Sequence, residues 1–341
     1  MKKNKLVIFG PWLGEFCFEL SWYIPEIRKL KQTKYEGWHS VMVGFNGRKI
    51  LYLDFVDDYI PYPQELEDCS IYPSGGGEYR GGKMEIIPLE FSDFLKQIKE
   101  QYMDDFDEVV IESPVPEHFS LNTSNLTWEQ NPDGYYRHYQ ARKEILDSVR
   151  NKITFENQGI GFHKRDTIAV MARIRYRNGN VCKLDWDPKH WETFVDMLIN
   201  NLKVNIVMIG IPRKEGSSAG GALSMEDTDM YKKNKKYIKS IIFNGEDSVE
   251  EQIALLQSTK CSIYGATGAV VFPFFIKGAN IFTQQTSENA NRLEFEWQRR
   301  LTDNLKNIKI FGKYSKGAIY NSSVDELFKE FKIFYEELKN E

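Results

Sequence analysis

A chain of 341 residues with 41% hydrophobic and 28% charged residues is globular rather than fibrous or disordered. It is too long for one ordinary core, which predicts two domains of roughly 150–170 residues each. A net charge of −4 gives no global attraction for nucleic acid or an anionic membrane. No stretch approaches the roughly 18 apolar residues of a membrane span, and the apolar run at 6–9 is too short for a secretory leader. The cysteines, Cys17, Cys69, Cys182 and Cys261, show neither CxxC nor zinc spacing. Free thiols in a reducing, cytoplasmic compartment are therefore expected.

Residues 5–10 have the pattern of a buried strand, Leu6-Val7-Ile8-Phe9 closed by Gly10. Helical periodicity follows over 16–30 through Leu20, Ile24, Ile27 and Leu30, with Pro25 expected to kink or restart it. A second strand is predicted at 40–45 and a short helix carries Ile50, Leu51 and Leu53. Residues 70–83 are Gly-rich and read as a surface loop; a helix at 94–103 and a strand at 108–112 come next. Residues 114–139 have no sustained period and read as an irregular connection, and a helix over 139–151 closes the first half.

The polar, turn-rich stretch 155–166 predicts the domain boundary, giving domains at 1–155 and 156–322 and a closing helix within 323–341. The second half opens with a strand at 167–172. A helix at 188–202, strands at 204–209 and 239–243, and a helix at 248–258 follow. Ser248 and Glu251 there have capping-box spacing. A strand at 261–264, a small-residue turn with a helix, a last central strand at 280–283 and the helix from Val324 complete the order. Strands alternating with helices predict an α/β protein with a parallel sheet in each half, two Rossmann-like domains. Ligands of such sheets bind beyond the carboxyl ends of the strands. The informative loops are therefore those after Phe9, Ala172, Gly210 and Tyr264.

The first of these loops, from Gly10 to Leu20, places Glu15 and Glu19 at i,i+4 on the opening turns of a helix. A carboxylate there sits at the positive end of the helix dipole and is suited to take a proton from an acceptor hydroxyl. A cap for Glu15 and a solvent-facing Glu19 are the plainer alternatives. In the second half, Arg173, Arg175 and Arg177 alternate, with Lys183 after them; they share one face if the strand continues. Guanidinium forks suit diphosphate oxygens and offset charge on a leaving diphosphate. A surface ladder of ion pairs is the competing reading, and the position at a ligand end favours phosphate.

Gly265, Ala266, Thr267, Gly268 and Ala269 lie between a strand and a helix, where small residues let the backbone approach a phosphate. Residues 284–289 follow the last central strand and are polar, with Glu288 the candidate for donor sugar or ribose hydroxyls. Arg292, Arg299 and Arg300 read as solvated helix charges, and Asp57-Asp58 and Asp104-Asp105 as solvent-facing pairs. His39, His118, His138, His163 and His190 are dispersed, so no metal site is expected. GxxxxGK[ST] and Gly-x-Ser-x-Gly are both absent. Residues 231–239 form a Lys-rich run with interleaved tyrosines that could track a nucleic-acid backbone, a solvated face being the plainer reading.

The order of these features resembles that of GT-B glycosyltransferases, in which two nucleotide-fold halves face each other across a cleft. Leu13-Gly14-Glu15 is similar to the Leu-Gly-Asp of heptosyltransferase-like enzymes, with Glu in place of the proposed catalytic Asp. Residues 173–183, with Trp186 and Trp191, resemble the start of a donor-binding half, and residues 265–269 resemble its phosphate turn. The helix from Val324 resembles a closing segment that often packs back across the interdomain region. Gly14-Glu15-Phe16-Cys17-Phe18-Glu19-Leu20 also resembles phage and bacterial Gly-Glu-Phe-x-x-Glu-Leu sequences, some of whose phage relatives modify hydroxymethylated bases in DNA.

The resemblance implies a cytoplasmic, metal-independent sugar transfer with a nucleotide-sugar as co-substrate and no bound cofactor. The donor diphosphate would rest on Arg173, Arg175 and the 265–268 turn. The acceptor, a glycan or hydroxymethylated DNA, would lie near Trp12, Gly14 and Glu15. Domain closure would exclude water. A sugar-nucleotide epimerase and a non-catalytic sugar or nucleic-acid binding protein are the readings from other classes, and fold alone does not choose among them.

Overall fold

The computed structural model describes residues 5–13, 16, 19–67, 89–113, 137–155, 165–174, 176–177, 180–181, 186–210, 221–222, 225–226, 228–243, 247–265, 271–284, 308–311 and 323–340. The chain divides into two compact units, one formed by 1–137 with 244–249 and the other by 138–243 with 250–341.

In the first unit, β1 (Lys5–Phe9), β2 (His39–Gly44), β3 (Asp58–Pro61) and β4 (Glu108–Glu112) form a parallel four-stranded sheet of order β3-β2-β1-β4. Leu6, Val7, Ile8 and Phe9 are all 0% exposed, as a central parallel strand covered on both faces requires. A π-helical turn at Glu19–Tyr23 leads directly into α1 (Ile24–Gln32), with Pro25 in the first turn of the α-helix, where its missing N–H costs no helical hydrogen bond. After the short helix α2 (Gln64–Glu67), α3 (Leu89–Tyr102) buries Phe91, Leu95 and Ile98. Strand β3 was not legible in the sequence: Asp58-Tyr59-Ile60-Pro61 is a half-exposed edge strand, the position at which a terminal proline is tolerated.

The second unit begins at residue 138. Tyr139 N–H donates to Phe275 O at 2.7 Å and Lys277 N–H donates to Tyr139 O at 3.0 Å. Arg142 then grips the buried Glu250 carboxylate through Nε (2.9 Å) and Nη2 (2.6 Å). Helix α4 (Lys143–Lys152), which closed the first domain in the sequence reading, thus lies in the second unit.

Its sheet contains β5 (Thr167–Met171), β9 (Asn205–Gly210), β11 (Ile238–Ile242), β12 (Cys261–Tyr264), β13 (Ile281–Gln284) and β14 (Ile308–Phe311). The order is β11-β9-β5-β12-β13-β14 and every pairing is parallel. The last strand, β14, extends the sheet past the one the sequence placed last. Helix α5 (Pro188–Asn201) buries Trp191, Phe194, Val195, Leu198 and Ile199 against Ile168, Val170, Ile206, Ile263 and Phe282. Helices α6 (Asp229–Asn234), α7 (Ser248–Ser258) and α8 (Val271–Phe274) lie in the connections.

The last helix, α9 (Val324–Asn340), packs on α5, β13 and β14 through Leu327, Phe331, Phe334, Tyr335 and Leu338. Its apolar face is consumed within its own unit. Its start is a reciprocal capping box, with Glu326 N–H donating to Ser323 Oγ (3.2 Å) and Ser323 N–H donating to Glu326 Oε2 (3.1 Å). The box expected at Ser248 is spent otherwise, since Glu251 pairs with Lys152.

Candidate functional site

Strand order locates the ligand end of each sheet. In the second unit the order reverses between β5 and β12, so the crevice at their carboxyl ends is the position where doubly wound sheets bind ligands. Met171 pairs with Tyr264, and Gly265 N–H donates to Met171 O at 3.3 Å. The loop opening at Arg173 and the turn opening at Gly265 therefore start side by side, which brings together two segments singled out in the sequence.

The parallel strand does not run on through the arginines. Arg173–Ile174 forms β6, antiparallel to β10 (Gly221–Ala222), while Tyr176–Arg177 forms β7, antiparallel to β8 (Asn180–Val181). Arg173 and Arg177 consequently belong to different two-stranded ribbons, and the argument from alternation along one strand face does not hold. Arg175, Lys183, Ala266, Thr267, Gly268 and Glu288 lie outside the described residues. Gly265 has a packing reason: a Cβ there would stand 3.1 Å from Cζ2 of the buried Trp191.

In the first unit the order reverses between β1 and β4, so the corresponding crevice lies beyond Phe9 and Glu112. Gly10 has φ +136°, and a Cβ on it would meet Val43 O at 2.7 Å, so glycine is required on both counts. Gly10 N–H donates to Glu112 O at 3.1 Å, extending the β1–β4 ladder, and Ser113 Oγ–H donates to Gly10 O. Trp12 and Leu13 are buried, with the Trp12 ring 4.8 Å from that of Tyr23. Gly14 and Glu15 lie outside the described residues.

Glu19 is 1% exposed, and both of its oxygens are engaged. Arg48 Nη1 donates to Oε2 and the Tyr52 hydroxyl donates to Oε1. The Arg48 guanidinium also lies over two rings, 4.4 Å from the centroid of Phe45 and 5.0 Å from that of Phe16. Burial pushes the Glu19 carboxyl above its ordinary range, while the Arg48 charge and the Tyr52 and Arg48 hydrogen bonds pull the other way. Packing thus accounts for three residues of the Glu-Phe-x-x-Glu-Leu stretch. Phe16 covers Arg48, Glu19 pairs with it, and Leu20 is buried. Sequence reasoning missed Arg48 and Tyr52 because they stand 29 and 33 residues away from Glu19, with no spacing that ties them to it.

Among the described residues no group of three or more His, Cys, Asp or Glu side chains could hold a metal ion, and no helix is long and apolar enough to cross a membrane. A cavity of about 590 Å³ runs along β11, lined by Lys152, Tyr231, Lys239 and Glu251 among others. It is not at the carboxyl ends of the central strands, so topology rather than cavity size identifies the ligand end.

Two parallel α/β units of this kind, the second with the full doubly wound strand order, fit the two-domain Rossmann-like layout of the GT-B fold. Two solved structures show that likeness over nearly the whole chain. One is a family 9 glycosyl transferase from Veillonella parvula, at 11% identity and TM-score 0.52, covering 98% of each chain. The other is the ADP-heptose lipopolysaccharide heptosyltransferase II of E. coli, at 11% identity and TM-score 0.52, covering 98% of this chain and 99% of that one. At such identity the likeness is one of fold. No protein-family profile matches the chain, and no curated protein matches it in sequence.

Proposed function

We propose that this chain is a cytoplasmic glycosyltransferase that moves a sugar from a nucleotide-activated donor to an acceptor hydroxyl without a metal ion. The observation that carries the reading is topological. The Arg173 loop and the Gly265 turn open side by side at the switch point of the second sheet, and the Glu15 segment follows the central strand of the first. The heptosyltransferase of similar fold has a nucleotide-sugar, ADP-heptose, in its name, which supports a donor of that class.

In this mechanism the donor diphosphate rests on Arg173, Arg175, Arg177, Lys183 and the turn Gly265-Ala266-Thr267-Gly268, and Glu288 meets the donor hydroxyls. The acceptor lies against Trp12 and Gly14. Glu15 takes the acceptor proton as its oxygen bonds to the anomeric carbon. The bond from that carbon to the diphosphate breaks, and the diphosphate leaves with the electron pair, its charge offset by the arginines. Glu19, saturated by Arg48 and Tyr52, is a positioning residue that fixes the segment after Glu15.

The test is release of free nucleoside diphosphate from a panel of nucleotide-sugars, with glycan extracts and hydroxymethylated DNA as acceptors. Release and a glycosylated product are expected. Glu15→Gln should lower turnover by about 10²–10⁴-fold while donor binding persists. A change of sugar configuration with donor alone would show an epimerase instead, and donor binding without release would show a binding protein.

A further inference from the structure

The opposite pole of the second unit, at the amino ends of its strands, carries cations that the proposed reaction does not use. Thr167 pairs with Asn205 and Ile206 pairs with Ile238. Arg165, Lys203 and Lys235 therefore stand just ahead of three adjacent strands, β5, β9 and β11. Neighbouring strands lie about 4.8 Å apart, so these starts span about 10 Å.

Tyr237 is the centre of the group. The Arg165 guanidinium lies 3.8 Å from its ring centroid and Lys236 Nζ lies 4.8 Å from it. Lys236 beside the hydroxyl and the charges of Arg165, Lys236 and Lys203 lower the phenol's pKa from its ordinary value. Among the described residues, Arg165, Lys203, Lys235 and Lys236 form no ion pair, and Arg165 Nη1 is buried without an acceptor. The nearby carboxylates serve other groups. Asp166 accepts from the Tyr335 hydroxyl at 2.8 Å, Asp196 accepts from Asn234 Nδ2 at 2.8 Å, and Asp229 faces Lys232. In a chain of net charge −4, three cations acting on one phenol, with Lys235 beside them in the chain, are a concentrated positive field.

We propose that Arg165, Lys203, Lys235, Lys236 and Tyr237 form a binding site for an oligophosphate group, about 15 Å of strand away from the crevice at Arg173 and Gly265. The chemistry fits that class. Guanidinium and ammonium groups supply charge-assisted donors to phosphate oxygens, and the phenol supplies a further hydroxyl. The spacing of the three strand starts suits two or three linked or clustered phosphates rather than one carboxylate. Free polyphosphate and a cluster of anionic phospholipid headgroups share this chemistry.

The experiment titrates the full chain with sodium tripolyphosphate by calorimetry and measures co-sedimentation with phosphatidylglycerol vesicles at about 0.15 M salt. Three variants run alongside: Lys235→Glu/Lys236→Glu, Arg165→Gln/Lys203→Asn and Arg173→Ala. Lys203 has φ +57°, a conformation asparagine accepts readily, and Lys235 and Lys236 are exposed, so both double variants should melt like the parent. Tripolyphosphate binding that falls at least 10-fold in both double variants and persists in Arg173→Ala supports the site. Vesicle binding lost in the same two variants supports it with lipid as the source. Absence of binding to either probe, binding that survives both double variants, or binding lost only in Arg173→Ala overturns it. So does binding of a single-stranded oligonucleotide alone, which would make the face a nucleic-acid surface. Because the nucleotide-sugar reading is tested at Arg173 and Glu15, either proposal can fail without the other.

Discussion

Replacing Arg48 by methionine keeps much of the side-chain length and removes the charge that faces Glu19. Glu19 is 1% exposed, and Tyr52, its other donor, is 0% exposed, so water does not replace the lost partner. Breaking a buried pair from one side costs about 3–5 kcal/mol, because a buried charge is left uncompensated. That is a large part of the roughly 5–15 kcal/mol that holds a domain folded. Arg48→Met should therefore unfold the first unit at much lower urea, read by the fluorescence of Trp12 and Trp38, while the second unit keeps its own transition. Glu19→Gln in the same chain removes the orphaned charge and should recover most of the loss.

The pH dependence has a definite sign. Burial already holds the Glu19 carboxyl above its ordinary range, and without Arg48 it moves further up. A carboxyl raised in the folded state contributes its full stability below the unfolded value and loses it as pH rises through the folded pKa. The deficit of Arg48→Met should shrink from pH 7 towards pH 5. A deficit under about 1 kcal/mol at neutral pH, or one that grows on acidification, would refute the reasoning.

Gly265→Ala puts a methyl 3.1 Å from the buried Trp191 ring; overpacking of this kind costs about 1–3 kcal/mol, and Trp191→Phe in the same chain should relieve it in thermal melts. Gly10→Ala meets both φ +136° and a contact of 2.7 Å with Val43 O, so the first unit should lose its cooperative urea transition. Asp57 is pushed up by burial, but hydrogen bonds from Ser40 Oγ and N, together with the charges of Lys31 and His39, outweigh this and leave its pKa lowered. Its contribution is present above the unfolded value of 3.8 and is lost as pH falls through the folded pKa. Asp57→Asn should accordingly be less stable than the parent at pH 7, with the gap closing in acid; a constant gap across that range contradicts the assignment.

The fold was legible wherever burial on both faces leaves an unbroken apolar run, as at Leu6–Phe9, Ile168–Val170 and Val207–Ile209. It was least legible at edges. Asp58–Pro61 and Ile308–Phe311 are only four residues long, and what makes them strands is a neighbour already in place. The loops of interest were legible because ligands of parallel sheets bind beyond the carboxyl ends of the strands, and strand ends can be counted from sequence. Their internal shape was not: the ribbons at Arg173–Ile174 and Tyr176–Arg177 depend on partners at 221–222 and 180–181. Glu19 shows the same limit. Its spacing from Glu15 suggested a shared helix face, but its environment is set by Arg48 and Tyr52 on a distant segment, and no local pattern announces them.

The central claim is a nucleotide-sugar site at the carboxyl end of the second sheet. The measurement that tests it most directly is the melting temperature of the parent, Arg173→Ala and Glu15→Gln with UDP, GDP, ADP, CMP and their sugar conjugates. A ligand bound only by the folded state stabilises it by about 2.7 kcal/mol at 100-fold excess over its Kd. The account predicts a rise with one nucleotide family in the parent and in Glu15→Gln, lost in Arg173→Ala. No rise with any nucleotide, or an equal rise in Arg173→Ala, would contradict it.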